Sequence, residues 1–98
     1  MNSIKSPGSL PDKQQWYMYV IRTRDNTLYC GVSIDPERRF REHETGRGKG
    51  ARYFHIHRPA ELAYIEPSDS RGEALKAEHR FKKLSKNQKE EYIRQHYS

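Results

Sequence analysis

A single small α+β domain (mixed α/β) is what this sequence predicts, and three observations carry it. Residues 16–34 read as a β-hairpin, two later helix starts bear capping residues, and a third strand stands between those helices. With 98 residues the chain has the length of one domain. Only 33% of the residues are hydrophobic, yet there are seven tyrosines and one tryptophan. Tyrosine buries a large ring and keeps a polar tip, so it can build a thin core in a polar chain.

Taken in order, "MNSIKSPGSLPDK" (1–13) is rich in Ser, Pro and Gly without periodicity and reads as a flexible tail. The structured domain is expected over 14–91, with 92–98 as the end of a last helix. Strands are expected over 16–23 and 27–34, joined by the turn-prone "RDN". If Arg24 to Asn26 form the loop, Thr23 faces Thr27, Tyr19 faces Gly31 and Ile21 faces Tyr29. Leu28, Cys30 and Val32 then share one apolar face, and Tyr29, Gly31 and Ser33 the other. Tyr19 and Tyr29 become diagonal neighbours beside the notch left by Gly31.

Asp35 suits an N-cap and Pro36 the first helical position, so "PERRFREHE" should be helical to about Thr45. Arg39 and His43, four apart, share a face of that helix. The glycine-rich "GRGKGARYFHIHRP" reads as a basic connection with room for one short helical turn, and "AELAYIEP" (60–67) as a third strand. Ser70 and Glu73 form a capping box, opening a helix whose narrow apolar stripe is Ala74, Ala77, Phe81 and Leu84. Glu78 falls at the border of that stripe. A carboxylate there needs a cation or hydrogen-bond donors, because burying it alone is costly. "SKNQKEEYIRQHYS" reads as a final polar helix.

The formal net charge is +6, and the surplus is concentrated. Arg38, Arg39, Arg41, Arg47, Lys49, Arg52 and Arg58 stand against only Glu42 and Glu44 between positions 38 and 58. Such a strip attracts a phosphate backbone and releases its counterions. The competing reading is a solvated surface tuned for solubility. One cysteine excludes an internal disulfide, and no Cys/His spacing fits zinc. No apolar run reaches the ~20 residues of a membrane span, and the N-terminus lacks a signal-peptide core. A soluble, cytoplasmic protein with no membrane partner and no small-molecule cofactor is expected.

Tyr19, then Tyr29-Cys30-Gly31 ten residues later, then Arg39, His43 and a distant helical Glu78, resemble the GIY-YIG nuclease domain, and most closely its small stand-alone bacterial members, the YhbQ-like group. "YMY" (17–19) takes the GIY place and "YCG" (29–31) the YIG place, with Tyr17 and Gly31 as motif positions. Tyr17 replaces the first motif's glycine, Met18 and Cys30 its central residues, and Val32 stands where repair-type members carry lysine. Asn87 is the candidate for the family's late polar residue.

The resemblance implies a central three-stranded antiparallel sheet flanked by helices, and divalent-metal-dependent cleavage of DNA phosphodiesters. It places catalysis on Tyr19, Tyr29, Arg39, His43 and Glu78. Glu78 would hold Mg²⁺ or Mn²⁺, completed by substrate phosphate; the alternative is a Glu78–Arg ion pair. Arg39 would contact the scissile phosphate in bidentate fashion. His43 would contact the phosphate, orient a tyrosine or relay a proton, unless it is a surface histidine. Tyr29 or Tyr19 would deprotonate the attacking water, with Tyr29 preferred as base and Tyr19 positioning. Cys30 faces away from Tyr29 and reads as a packing residue. Arg38, Arg41, Arg47, Lys49 and Arg52 are the candidate nucleic-acid contacts, with DNA as the expected polymer, RNA as the alternative, and DNA repair or recombination as the setting. Two rival readings are a catalytically weak or inactive nucleic-acid-binding module on the same fold, and an adaptor docking an acidic protein.

Overall fold

In the computed structural model, residues 14–48 and 50–96 are described, so the expected tail over 1–13 and the contact expected of Lys49 lie outside the described residues. The hairpin forms as its turn chemistry directs. Strand β1 (Trp16–Thr23) pairs antiparallel with β2 (Leu28–Ser33), with Tyr19 opposite Gly31 and Ile21 opposite Tyr29. Asn26 supplies the left-handed residue of the turn at φ 65°, a conformation Asn tolerates better than most. Helix α1 (Pro36–Glu44) follows, its first turn capped by Asp35, whose side chain accepts from the Arg38 backbone N–H. The short turn expected in the glycine-rich connection is α2 (Ala51–Ile56), entered through Gly50 at φ 83°.

Strand β3 (Pro59–Ser68) completes a three-stranded antiparallel sheet in the order β2-β1-β3. Its register against β1 shifts twice, between Val20 and Ile21 and between Arg22 and Thr23. Helix α3 (Arg71–Lys82) starts at Ser70, whose hydroxyl accepts from the Glu73 backbone N–H, as the capping box predicts. Helix α4 (Lys86–His96) runs through positions 91 and 92, and its Ile93 is buried.

Each face of the sheet builds its own core. Met18, Val20, Cys30 and Tyr64 pack with Ala77 and Phe81 of α3 and Ile93 of α4. On the other face Tyr19 and Ile21 pack with Phe54 of α2, joined by Tyr29, Phe40, Tyr53 and Leu62. The alternation of β1 thus separates two layers of helix, and Tyr19 is core, only 1% exposed. Among the described residues no helix is long and apolar enough to cross a membrane.

Candidate active site

Sheet edge β2 is where the two helical layers meet. There Tyr19, Tyr29, Gly31, Arg39 and Glu78 line one cavity of about 170 Å³, together with Trp16, Val32, Arg71 and Leu75. Four of the five expected catalytic residues reach it from β1, β2, α1 and α3. The fifth, His43, lies behind: its Nε2 stands 3.2 Å from Tyr19 Oη.

The strands dictate this arrangement. Tyr19 and Gly31 are cross-strand partners, and a Cβ on Gly31 would come within 2.7 Å of Tyr19 Oη. Glycine at 31 therefore lets the Tyr19 ring lie across β2 and point its hydroxyl toward α1. His43, one turn after Arg39, is 1% exposed rather than on the surface, which corrects the surface alternative. Phe54 and Tyr29 hold its ring, with centroids 4.3 and 5.5 Å away. Burial and the Arg39 charge pull its pKa below the ordinary histidine value, which favours the neutral imidazole over the cation.

Both tyrosines are hard to ionise. Burial raises Tyr19 well above an ordinary phenol, and the neighbouring Tyr29 raises it further. Tyr29 is also raised by burial, against the opposing pull of Lys82. Lys82 is a charged neighbour of the cavity residues that sequence reasoning missed. Its Nζ lies 3.1 Å from Glu78 Oε2, so Glu78 makes an ion pair, as the alternative reading held, but with a lysine rather than an arginine. The i,i+4 spacing of Glu78 and Lys82 on α3 was the available signal. Trp16 and Arg71 were also missed, and the Arg71 guanidinium sits 5.7 Å from the Trp16 ring centroid.

Arg39 is 25% exposed and lies 3.7 Å from Glu42, leaving guanidinium donors toward the cavity. Tyr17 is half-buried on the same strand face as Tyr19, outside the cavity lining. Asn87 is exposed on α4 and does not line the cavity. Arg38, Arg41, Arg47 and Arg52 are all exposed. Cys30 is buried on the α3 side, and burial pushes its thiol up to about 12, which leaves it a packing residue.

Among the described residues no three His, Cys, Asp or Glu side chains are arranged to hold a metal. The cavity offers one carboxylate, Glu78, with 19% of its side chain exposed. That donor set fits Mg²⁺ or Mn²⁺, hard cations that take one or two carboxylates, keep several waters and complete their shell on substrate phosphate.

Comparison with known proteins bears on the family and the fold. The family model described as "GIY-YIG catalytic domain" matches residues 15–97. A UPF0213 protein of Cronobacter sakazakii is 44% identical over 80 residues, covering 82% of each chain. The UPF0213 protein YhbQ of Escherichia coli is 45% identical over 78 residues, covering 80% of this chain and 76% of that one. The solution structure of a UPF0213 protein from Bacillus halodurans superposes with a TM-score of 0.53 at 27% identity, covering 84% of this chain and 85% of that one.

Proposed function

The chain belongs to the GIY-YIG catalytic-domain family of nucleases, and on that footing we propose that it is an endonuclease hydrolysing DNA phosphodiester bonds with one divalent cation, Mg²⁺ or Mn²⁺. The observation that supports this best is the convergence of Tyr19, Tyr29, Arg39 and Glu78 on one cavity from four separate elements. Packing alone has no need to bring two tyrosines, an arginine and a glutamate to the lining of one cavity.

Within this reading Glu78 would hold the cation in place of its pairing with Lys82, and the cation would supply Lewis-acid stabilisation of the negative charge that develops during phosphodiester cleavage. Arg39 grips the scissile phosphate and favours the added negative charge of the transition state. Tyr19 rather than Tyr29 takes the proton of the attacking water. Both phenols are protonated at neutral pH, so the base must shed its own proton as it accepts another. His43 Nε2, 3.2 Å from Tyr19 Oη, accepts that proton when the neutral ring carries its own proton on Nδ1. Tyr29, held between Tyr53, Phe54 and His43, positions the water. The exposed Arg38, Arg41, Arg47 and Arg52 hold the nucleic-acid backbone, and repair or recombination of DNA is the setting such a reaction serves.

The Glu78–Lys82 ion pair favours a second reading, a basic module that binds nucleic acid without cutting it, because Lys82 already neutralises the carboxylate. One experiment separates them. Purified protein is incubated with single-stranded, duplex and branched DNA in Mg²⁺, Mn²⁺ or EDTA, beside Glu78→Gln and Tyr19→Phe. Cutting that requires metal and is lost in both folded variants supports the nuclease. A gel shift with intact DNA under every condition supports the binding module.

A further inference from the structure

Trp16 and Arg71 take no part in the chemistry above, yet both line the reaction cavity and also a larger one beside it, of about 450 Å³. Gln15, Ser68, Asp69 and Ser70 form much of the larger cavity's remaining wall. The reaction cavity, at about 170 Å³, is smaller than the roughly 300–1,000 Å³ that organic ligands occupy, and the larger one falls within that range. Trp16 is half-buried and belongs to neither core, which leaves a flat aromatic surface for a ligand. The Gln15 side-chain amide donates to the backbone carbonyls of Trp16, at 3.0 Å, and Ser68, at 2.8 Å. It thereby ties the start of β1 to the end of β3 and fixes the backbone that carries the indole. Arg71 is exposed, with its guanidinium 5.7 Å from the indole centroid. No carboxylate among the described residues pairs with it, so its N–H donors stay available.

We propose that this second cavity receives the nucleobase next to the scissile phosphate, stacked on Trp16, with Arg71 on that nucleotide's backbone phosphate. The inference rests on the nuclease reading and deepens it by naming the substrate class, a strand whose base beside the cleaved bond is unpaired. A base stacked on an aromatic side chain gains affinity whatever its identity, because every base has a π-face. Inside a duplex that face is covered by its neighbours, and turning the base out costs unstacking and unpairing; in a single strand the cost is least.

The two charges on the wall orient the nucleotide. The Asp69 carboxylate repels phosphate but accepts from the amino groups of a base, so the base faces Asp69. Arg71 attracts phosphate and is shared with the reaction cavity, so the backbone runs past Arg71 toward Arg39 and Glu78.

Trp16 is the chain's single tryptophan, so its fluorescence reports on this cavity directly. In the first arm the full chain, in EDTA so that nothing is cut, is titrated with a short single-stranded DNA and with an abasic strand of the same length and charge. Binding is read in parallel by gel shift. The base-bearing strand should quench the fluorescence as it binds, and the abasic strand should bind without quenching. Equal quenching by both, binding of the base-bearing strand without quenching, or no binding of it at all overturns the proposal. This arm needs no cleavage. A wild type that quenches as expected but cuts nothing in Mg²⁺ or Mn²⁺ leaves the base site standing and defeats the nuclease reading; one that cuts without quenching defeats the base site alone. The second arm compares affinities, with folding checked by circular dichroism. Trp16→Leu should bind the base-bearing strand about tenfold more weakly and the abasic strand as before. Arg71→Gln should weaken both strands alike, because it removes a phosphate contact. Equal losses on both strands in Trp16→Leu mean that the indole only supports the fold, and unchanged affinity in Arg71→Gln means that no phosphate sits there; either result overturns the proposal. If Trp16→Leu does not fold, the fluorescence arm and Arg71→Gln decide.

Discussion

Tyr19 and Gly31 are cross-strand partners so close that a Cβ at position 31 would stand 2.7 Å from Tyr19 Oη and 2.8 Å from its Cζ. Gly31→Ala must therefore push the phenol away from His43. The rest of the sheet is unaffected, because position 31 has ordinary strand geometry and sits on the edge strand. Overpacking of this kind costs about 1–3 kcal/mol, and misplacing a reacting group by about 1 Å costs roughly 10²-fold in rate. We expect a folded protein, seen by circular dichroism, with cleavage down by about that factor. Full activity in the alanine variant would show that the contact between Tyr19 and His43 is not used.

Glu78 is tied to Lys82 at 3.1 Å, and the lysine side chain is 56% exposed. With its lysine largely in solvent and its glutamate mostly covered, such an i,i+4 pair contributes about 0–1 kcal/mol. Glu78→Gln should therefore shift the thermal midpoint very little while removing metal-dependent cleavage by roughly 10²-fold or more. The two readouts must separate: a large loss of stability would make Glu78 a structural carboxylate, and retained cleavage would move the metal elsewhere.

Acid should loosen α4 before it loosens the rest. Arg22 of β1 donates to both Glu90 oxygens, from Nη1 at 2.7 Å and from Nη2 at 2.9 Å, and Lys86 lies 2.6 Å from the same carboxylate. Chiefly through the Arg22 hydrogen bonds, Glu90 is held down to about 2 from an ordinary 4.5. A depressed folded-state value means stability that is present above the unfolded pKa and lost as pH falls through the folded one. Glu90→Gln should thus be less stable than wild type at pH 7 by about 1 kcal/mol, after discounting for solvent screening. Urea melts should show that difference shrinking below about pH 4.5 and lost as pH falls through about 2. A gap that stays constant across this range would mean the pair contributes through packing alone.

How much of this was legible in the sequence depends on how locally each feature is determined. Three turn residues, Arg24 to Asn26, set the hairpin register, and Asn26 is of a type that tolerates the left-handed conformation the turn uses. Asp35 and Ser70 marked their helix starts because a cap is satisfied within three residues. Glu78 stood out because helical periodicity alone put a carboxylate beside the apolar stripe. The burial of His43 was not legible: it depends on Phe54, from a different helix, closing over the ring at 4.3 Å. Strand alternation grouped the tyrosines on one face but left open whether helices cover that face. They do, so Tyr19 is core and site together, its ring in the packing with Ile21 and Phe54 and its hydroxyl against His43. The pairing of Glu78 with Lys82 instead of an arginine needed side-chain positions that spacing only suggests.

The basic strip makes the last prediction. Arg38, Arg41, Arg47 and Arg52 are exposed, and of these Arg38 lies 3.8 Å from Glu42, a long and weak pair. None of the four lines the Glu78 cavity, so their removal should leave the chemistry itself intact. On duplex DNA each lost phosphate contact lowers the slope of log affinity against log salt by about 0.9. Arg47→Ala with Arg52→Ala should therefore reduce that slope by about 2 and weaken binding similarly on unrelated sequences, since backbone contacts carry no base information. Cleavage should fall at low DNA concentration and recover at saturation, because the substitutions remove binding shared by ground state and transition state. Affinity titrations at several salt concentrations read the first effect, and the KM-against-kcat split reads the second. An unchanged salt slope would make these arginines a solubilising surface and send the DNA path to another face of the domain. A fall in kcat at saturation would instead bring one of them into contact with the reacting phosphate.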